Sequence, residues 1–224
     1  MAEGLEVLHT RRALTGRLAE DLAGLVEASG ALLLFAAENG PAGLADAARS
    51  RSSEPKSSLG ARLLVSWGAD RVTTEHDYLS RALLRPYVEV LADLGIAPDR
   101  PLRTGRCPFC GGAPWIAARR SAMDEDGASR LLGCALCGGE WAIARIRCPP
   151  CSEESPERLP SFQSDTYPAA RIEACETCRR YVKSIDLTLE GRAIPEVDDL
   201  LSLGMDFWAA TQGFHRVEPG LAGI

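Results

Sequence analysis

All eight cysteines of this chain fall into four Cys-x-x-Cys pairs, and the pairs themselves repeat. Cys107/Cys110 and Cys134/Cys137 make one C-x2-C-x23-C-x2-C unit; Cys148/Cys151 and Cys175/Cys178 make a second. Two thiolates on a tight turn grip one side of a tetrahedral ion, and a second such turn closes the site. The spacing therefore predicts two four-cysteine metal sites. Site 1 uses Cys107, Cys110, Cys134 and Cys137; site 2 uses Cys148, Cys151, Cys175 and Cys178. Few other patterns constrain a chain as tightly.

Rival uses of cysteine fit less well. A disulfide framework belongs to short secreted chains without a sufficient core, whereas 224 residues at 46% hydrophobic content can bury an ordinary one. No secretory signal is read near the N-terminus: residues 32–35 are too short an apolar run, and Glu20, Asp21 and Glu27 precede it. Arg11-Arg12 reads as a solvated helix face, not an export signal. With no apolar run of about 18 residues, no membrane span is expected. A cytoplasmic location follows, with thiols kept reduced. A thioredoxin-like redox pair would need one Cys-x-x-Cys, not four at a repeating spacing. Sulfur-only ligation suits zinc and mononuclear iron alike, and the sequence leaves that choice open.

The two sites are not equivalent. Gly111 and Gly138 follow the pairs of site 1, where a knuckle turn favours positive φ. Ser152 and Arg179 hold those places in site 2. Site 2 is expected to be more strained or more weakly bound.

The fold class expected is α+β: a helical bundle, a tandem rubredoxin-like or zinc-ribbon module, then a C-terminal helix. Residues 1–104 lack cysteine and read as three to five helices. Leu14, Leu18, Leu22 and Leu25 keep to one helical face, and Gly40-Pro41 stops the run. Residues 49–58 are polar with Pro55 inside and are expected to form a mobile loop. Thr74 reads as a cap for another helix, which Pro86 should break or kink. Residues 105–190 form the metal module, with strands expected at 115–118, 130–133, 141–147, 171–173 and 181–187. A strand leaving site 1 is expected to run directly into site 2, making one rigid unit, with Trp141 packed on the sheet. Residues 191–224 hold a last helix opened by Pro195 and ended by Gly213. Its face of Leu200, Leu203, Phe207 and Ala210 is expected to dock on the helical domain.

The chemistry of catalysis is not visible. His9, His76 and His215 stand outside any metal-ligand spacing, and there is no phosphate loop or nucleophile elbow. Asp198-Asp199 reads as helix capping and solvation, because adjacent helical positions diverge by about 100°. An enzyme is not expected. The formal charge of −6 becomes more negative once thiolates ionise, which disfavours nucleic acid as a ligand. Arg119-Arg120, Arg145, Arg147 and Arg179-Arg180 offer a local basic patch, but beside Asp124, Glu125 and Asp126 a mixed solvated surface is the preferred reading.

Several blocks of the chain resemble one family. Residues 107–114 (CPFCGGAP), 132–141 (LGCALCGGEW), 145–151, 173–178 (EACETC) with Tyr181-Val-Lys183, 197–206 (VDDLLSLGMD) and 82–86 are similar to the formate dehydrogenase accessory (FdhE) proteins. The resemblance implies a helical N-terminal domain, two rubredoxin-like sites on the eight cysteines, and iron or zinc within them. It also implies a cytoplasmic, non-enzymatic partner of the molybdenum- or tungsten-containing catalytic subunit of a respiratory formate dehydrogenase. The chain is short for such a protein. Two further readings stand beside this one: a rubredoxin-like electron carrier, and a zinc-ribbon adaptor for nucleic acid or protein.

Overall fold

The structure, a computed structural model, describes residues 13–69, 78–121 and 128–220. It divides into two compact units, Met1–Pro101 and Leu102–Ile224. The expected class, helices followed by a cysteine-bearing sheet and further helices, is the one observed.

Unit 1 contains helices α1 (Leu18–Asn39), α2 (Ala42–Ser53), α3 (Lys56–Gly68) and α4 (Tyr78–Asp93). Leu25 and Leu33 of α1, Leu63 of α3, and Leu83, Val88 and Leu91 of α4 are buried together with Tyr87. The α1 N-terminus is tied down by buried Asp21, which accepts from the amides of Thr15 (3.0 Å) and Gly16 (3.0 Å) and from Tyr87 Oη (2.6 Å). That fastens the segment leading into the helix to its first turn, while the helix's own first amide, Leu18, donates to Asp99 Oδ1 at 3.3 Å.

Two expectations fail here. Residues 49–58 are not a mobile loop: α2 and α3 run through them, separated only by Glu54 and Pro55. Ala45 and Ala48 bury one face of α2, and Arg49 donates to the carbonyl of Ala37 at 2.9 Å. Tertiary contact stabilises a helix that composition alone disfavours. Nor, of the break or kink expected at Pro86, does the break occur: α4 runs through it. The lost hydrogen bond and ring clash cost about 3 kcal/mol, and the helix offsets this by burying Leu83, Leu84, Tyr87, Val88, Val90 and Leu91. The Thr74 cap lies outside the described residues.

Unit 2 is built on a seven-stranded sheet: β1 (Pro114–Ser121), β2 (Ala128–Cys134), β3 (Glu140–Ala142), β4 (Ser161–Gln163), β5 (Ala170–Cys175), β6 (Arg180–Asp186) and β7 (His215–Arg216). The order is β3-β2-β1-β6-β5-β4, with β7 beside β6. The sequence repeat is therefore also a structural one. Each cysteine repeat folds as a three-stranded antiparallel meander, and β4, β5 and β6 take the places of β1, β2 and β3. The first strand of one repeat pairs in parallel with the last strand of the other, Ile116 opposite Lys183. Backbone hydrogen bonds thus run unbroken across both repeats and join the two sites in one sheet. The expected direct strand connection is not formed: β3 stops at Ala142, and residues 143–147 cross to site 2 as irregular chain. Arg130 secures that crossing by donating to the carbonyls of Ala144 (3.3 Å) and Arg147 (2.8 Å).

The sheet buries both faces. One carries Trp115, Ile116, Ile172, Tyr181, Ile185 and Phe214; a bulge at the start of β1 breaks the alternation that would otherwise part Trp115 from Ile116. The other carries Ala117, Leu132 and Val182 against Trp141 and Ile143, the packing expected of Trp141.

The tail corrects the sequence reading. Two helices, α5 (Pro195–Leu201) and α6 (Leu203–Thr211), replace the single one, and both belong to unit 2 and pack on its own sheet. The inward residues are Asp199, Ser202, Met205, Asp206 and Ala209. Phe207, expected in the docking face, is 63% exposed, and Leu200 is 40% exposed. The apolar spacing misled because the sheet offers a buried cation, and carboxylates face it in preference to leucines. Lys183 Nζ, fully buried, lies 3.2 Å from Asp199 Oδ1, pairs with Asp206 Oδ2, and donates to the Asp199 carbonyl at 2.9 Å. Arg216 pairs with Asp199 at 2.5 Å and Asp206 at 3.3 Å, and Tyr181 Oη donates to Asp206 at 2.8 Å. Two cations and two anions compensate one another, the condition for burying charge, with Asp199 Oδ2 left without a hydrogen-bond partner among the described residues. Asp198, by contrast, does cap its helix, accepting from the Ile194 amide at 2.7 Å.

Candidate metal centres

Each site is assembled from two knuckles, one before the meander and one inside it. In every knuckle the amide four residues after the first cysteine donates back to that cysteine's carbonyl. The pairs are Gly111 to Cys107 (2.9 Å), Gly138 to Cys134 (3.2 Å), Ser152 to Cys148 (2.9 Å) and Arg179 to Cys175 (2.9 Å). This tight turn requires a left-handed residue, and all four positions have it: φ is 67° at Gly111, 72° at Gly138, 61° at Ser152 and 57° at Arg179. Glycine adopts this backbone freely; Ser152 and Arg179 do so at a cost. The expected strain in site 2 is present.

The sulfurs converge in both places. Cys107 Sγ lies 3.6 Å from Cys137 Sγ and Cys110 Sγ 3.5 Å from Cys134 Sγ in site 1. In site 2, Cys148–Cys178 and Cys151–Cys175 are both 3.6 Å. Within each cluster all four lie within 4.8 Å of one another. A tetrahedron with metal–sulfur bonds of 2.3 Å has edges of about 3.8 Å, so either cluster fits one ion with little adjustment. Space for the sulfurs of site 1 depends on Gly112: a Cβ there would stand 2.6 Å from Cys134 Sγ and 3.2 Å from Cys110 Sγ. All eight predicted residues are brought together as predicted. His215 is exposed in β7; His9 and His76 lie outside the described residues.

The electrostatics ask for a cation. In site 1, hydrogen bonds from the thiols of Cys110, Cys134 and Cys137 hold the Cys107 thiol far below its usual range, while Cys110 and Cys134 are driven up through their bonds with Cys107. In site 2, burial raises Cys148 and pushes Cys178 up to about 11. Burial also opposes ionisation of Cys175, but the Cys178 amide and the thiols of Cys151 and Cys148 overcome it and leave that thiol lowered. Sulfurs this close ionise together only when a metal supplies the balancing charge. The sites differ in access: Cys107, Cys110 and Cys134 are buried, whereas Cys151 of site 2 is exposed.

The two sites are mechanically joined. A Cβ on Gly105 (φ 75°), just before site 1, would lie 1.9 Å from the Pro149 carbonyl oxygen inside the first knuckle of site 2. The chain entering one site therefore rests on the other.

Comparison with known proteins fits this architecture. Residues 146–221, which hold site 2, the later strands and both C-terminal helices, match the family described as FdhE, C-terminal domain. Over about half its length the chain is similar to the FdhE proteins. An FdhE homologue from Aquifex aeolicus is 35% identical over 117 residues, covering 52% of this chain and 41% of that protein. One from Pseudomonas aeruginosa is 36% identical over 119 residues, covering 51% and 38%. The chain thus spans about two fifths of the length of these FdhE relatives. The crystal structure of the FdhE protein from Pseudomonas aeruginosa superimposes with a TM-score of 0.67, covering 91% of this chain and 71% of that one. At 24% identity that likeness shows the fold. The FdhE-like motif residues Tyr181, Lys183, Asp199 and Asp206 turn out to be the buried network beneath α5 and α6. Sequence reading missed that use because four residues scattered over two motifs show no spacing that links them.

Proposed function

We propose that this chain is a non-enzymatic accessory protein in the maturation of a formate dehydrogenase, binding its molybdenum- or tungsten-containing catalytic subunit in the cytoplasm. The observation that supports it is the pairing of two converged four-cysteine clusters on one continuous sheet with a match to the FdhE C-terminal domain. Cys107, Cys110, Cys134 and Cys137 would hold one iron or zinc ion, and Cys148, Cys151, Cys175 and Cys178 another. A closed sulfur-only site contributes folding energy and, with iron, a one-electron couple. The cysteines and their knuckles orient the sulfurs and exclude water from most of site 1; the helices of unit 1 supply a second recognition surface.

The test is genetic and biochemical together. Deleting the gene should abolish formate dehydrogenase activity while transcription of the enzyme continues, and the tagged protein, purified anaerobically, should bring the catalytic subunit with it. Unchanged activity would overturn the assignment.

One observation favours a second reading, a rubredoxin-like electron carrier: the exposed Cys151 gives site 2 a sulfur at the surface, where an electron can leave. Full biological activity of a zinc-only form excludes it; activity confined to an iron form with a reversible couple supports it.

A further inference from the structure

Six arginines converge beside site 2. A cleft of about 160 Å³ in unit 2 is lined by Arg119, Arg130, Arg145, Arg147, Arg171 and Arg180. They arrive from β1, β2, the crossing segment, β5 and β6, positions far apart in sequence. Cys148 and Cys175 border the cleft, and Glu173 is the carboxylate lining it.

The neighbouring carboxylates occupy only part of these guanidinium groups. Glu173 is committed to Arg130 at 2.7 Å. Asp186 takes Arg171 at 2.7 Å and lies 3.7 Å from Arg119, beyond hydrogen-bond reach. Glu154, itself mostly exposed, is 3.4 Å from Arg147. Among the described residues, Arg119, Arg145 and Arg171 therefore keep N–H groups that these carboxylates do not occupy. The donors are also underused. Among the described residues Arg145 has no ion pair or hydrogen bond, and Arg171 Nε is buried without an acceptor. Burying a charged donor without a partner is costly, so such an arrangement calls for an anionic ligand.

The geometry points to a site for a small tetrahedral oxyanion, phosphate or the terminal phosphate of an ester. Guanidinium groups match the paired oxygens of such an anion and form charge-assisted, forked hydrogen bonds to it. The volume limits the choice, since pockets for cofactor-sized ligands run to about 300–1,000 Å³. Arg119, Arg145 and Arg171 are the donors with capacity to spare. Arg130 is a positioning residue, already tied to Glu173 and to the crossing segment's carbonyls.

The experiment uses the metal-replete full chain and titrates inorganic phosphate by calorimetry at fixed ionic strength, with chloride as the control. One site per chain is expected. Arg145→Ala, an exposed residue without partners, should weaken binding at least tenfold while metal content and melting temperature stay unchanged; Arg119→Gln should act in the same direction. A parallel titration with glycerol phosphate separates the sources. Binding of both ligands supports an anion presented on a larger molecule, and binding of inorganic phosphate alone supports a free one. Absence of saturable binding for either would overturn the proposal and leave the arginines as counter-charge to the metal centre. Unaltered affinity in Arg145→Ala, or retention of an oligonucleotide without retention of phosphate, would overturn it as well.

Discussion

At the residue scale, the two repeats pose one conformational problem and answer it with different residues. Gly111 and Gly138 enter the left-handed region freely, while Ser152 and Arg179 are held there by the same knuckle hydrogen bond. Left-handed backbone costs a side-chain-bearing residue roughly 1–2 kcal/mol, partly offset by the larger entropy glycine gives the unfolded chain. Ser152→Gly should therefore raise the stability of the metal-loaded protein by up to about 1 kcal/mol, read as a higher urea midpoint at unchanged slope. Arg179→Gly is not the equivalent change. That guanidinium stacks 4.0 Å from the Phe214 ring and pairs with Glu176 at 2.6 Å, so its removal forfeits contacts along with strain. The sequence marks both positions as unusual; only the structure separates the removable one from the anchored one.

At the element scale, helices and strands follow their patterns where one face meets a core of matching character and depart from them elsewhere. Helix α2 forms from a polar, serine- and arginine-rich stretch because Ala45 and Ala48 lie against a neighbour. Helices α5 and α6 bury Asp199 and Asp206 and leave Phe207 outward because a fully buried lysine waits on β6. Lys183→Met should accordingly be severe. It leaves two buried carboxylates to share Arg216, a loss of about 3–5 kcal/mol, and detaches the C-terminal helices from the sheet. Chemical denaturation together with protease sensitivity of residues 195–211 checks this; a loss below about 1 kcal/mol would mean that the network is incidental to the docking.

At the scale of the whole molecule, each unit has its own means of stability. Unit 1 rests on leucine-rich helix packing around Tyr87 and Asp21. Unit 2 ties its sheet to eight sulfurs, and binding at structural sites of this kind is worth on the order of 10 kcal/mol in folding. Chelation should thus unfold unit 2 and spare much of the helical circular dichroism of unit 1. Release should occur in two steps, the ion at exposed Cys151 leaving first. Simultaneous loss of both ions would show that the contact of Gly105 with Pro149 and the unbroken sheet couple the sites too tightly to empty separately.

The cysteine spacing and the residues that follow each pair determined the two clusters, their membership and the strained knuckles of site 2, because ligand chemistry and turn geometry act over four residues and leave a local imprint. The helical half and most strands were legible for a similar reason: their period reflects which face is apolar. What only the tertiary structure decided are the contacts between residues distant in the chain. The parallel pairing of β1 with β6 joins the repeats, Arg130 fastens the crossing segment, and Lys183 turns α5 and α6 so that acids face inward. The same folding brings six arginines to one cleft, where the sequence shows only scattered charges among acids. Burial removes the water that would otherwise screen each of those charges, so their partners are chosen by proximity in the folded chain, which one-dimensional spacing does not record.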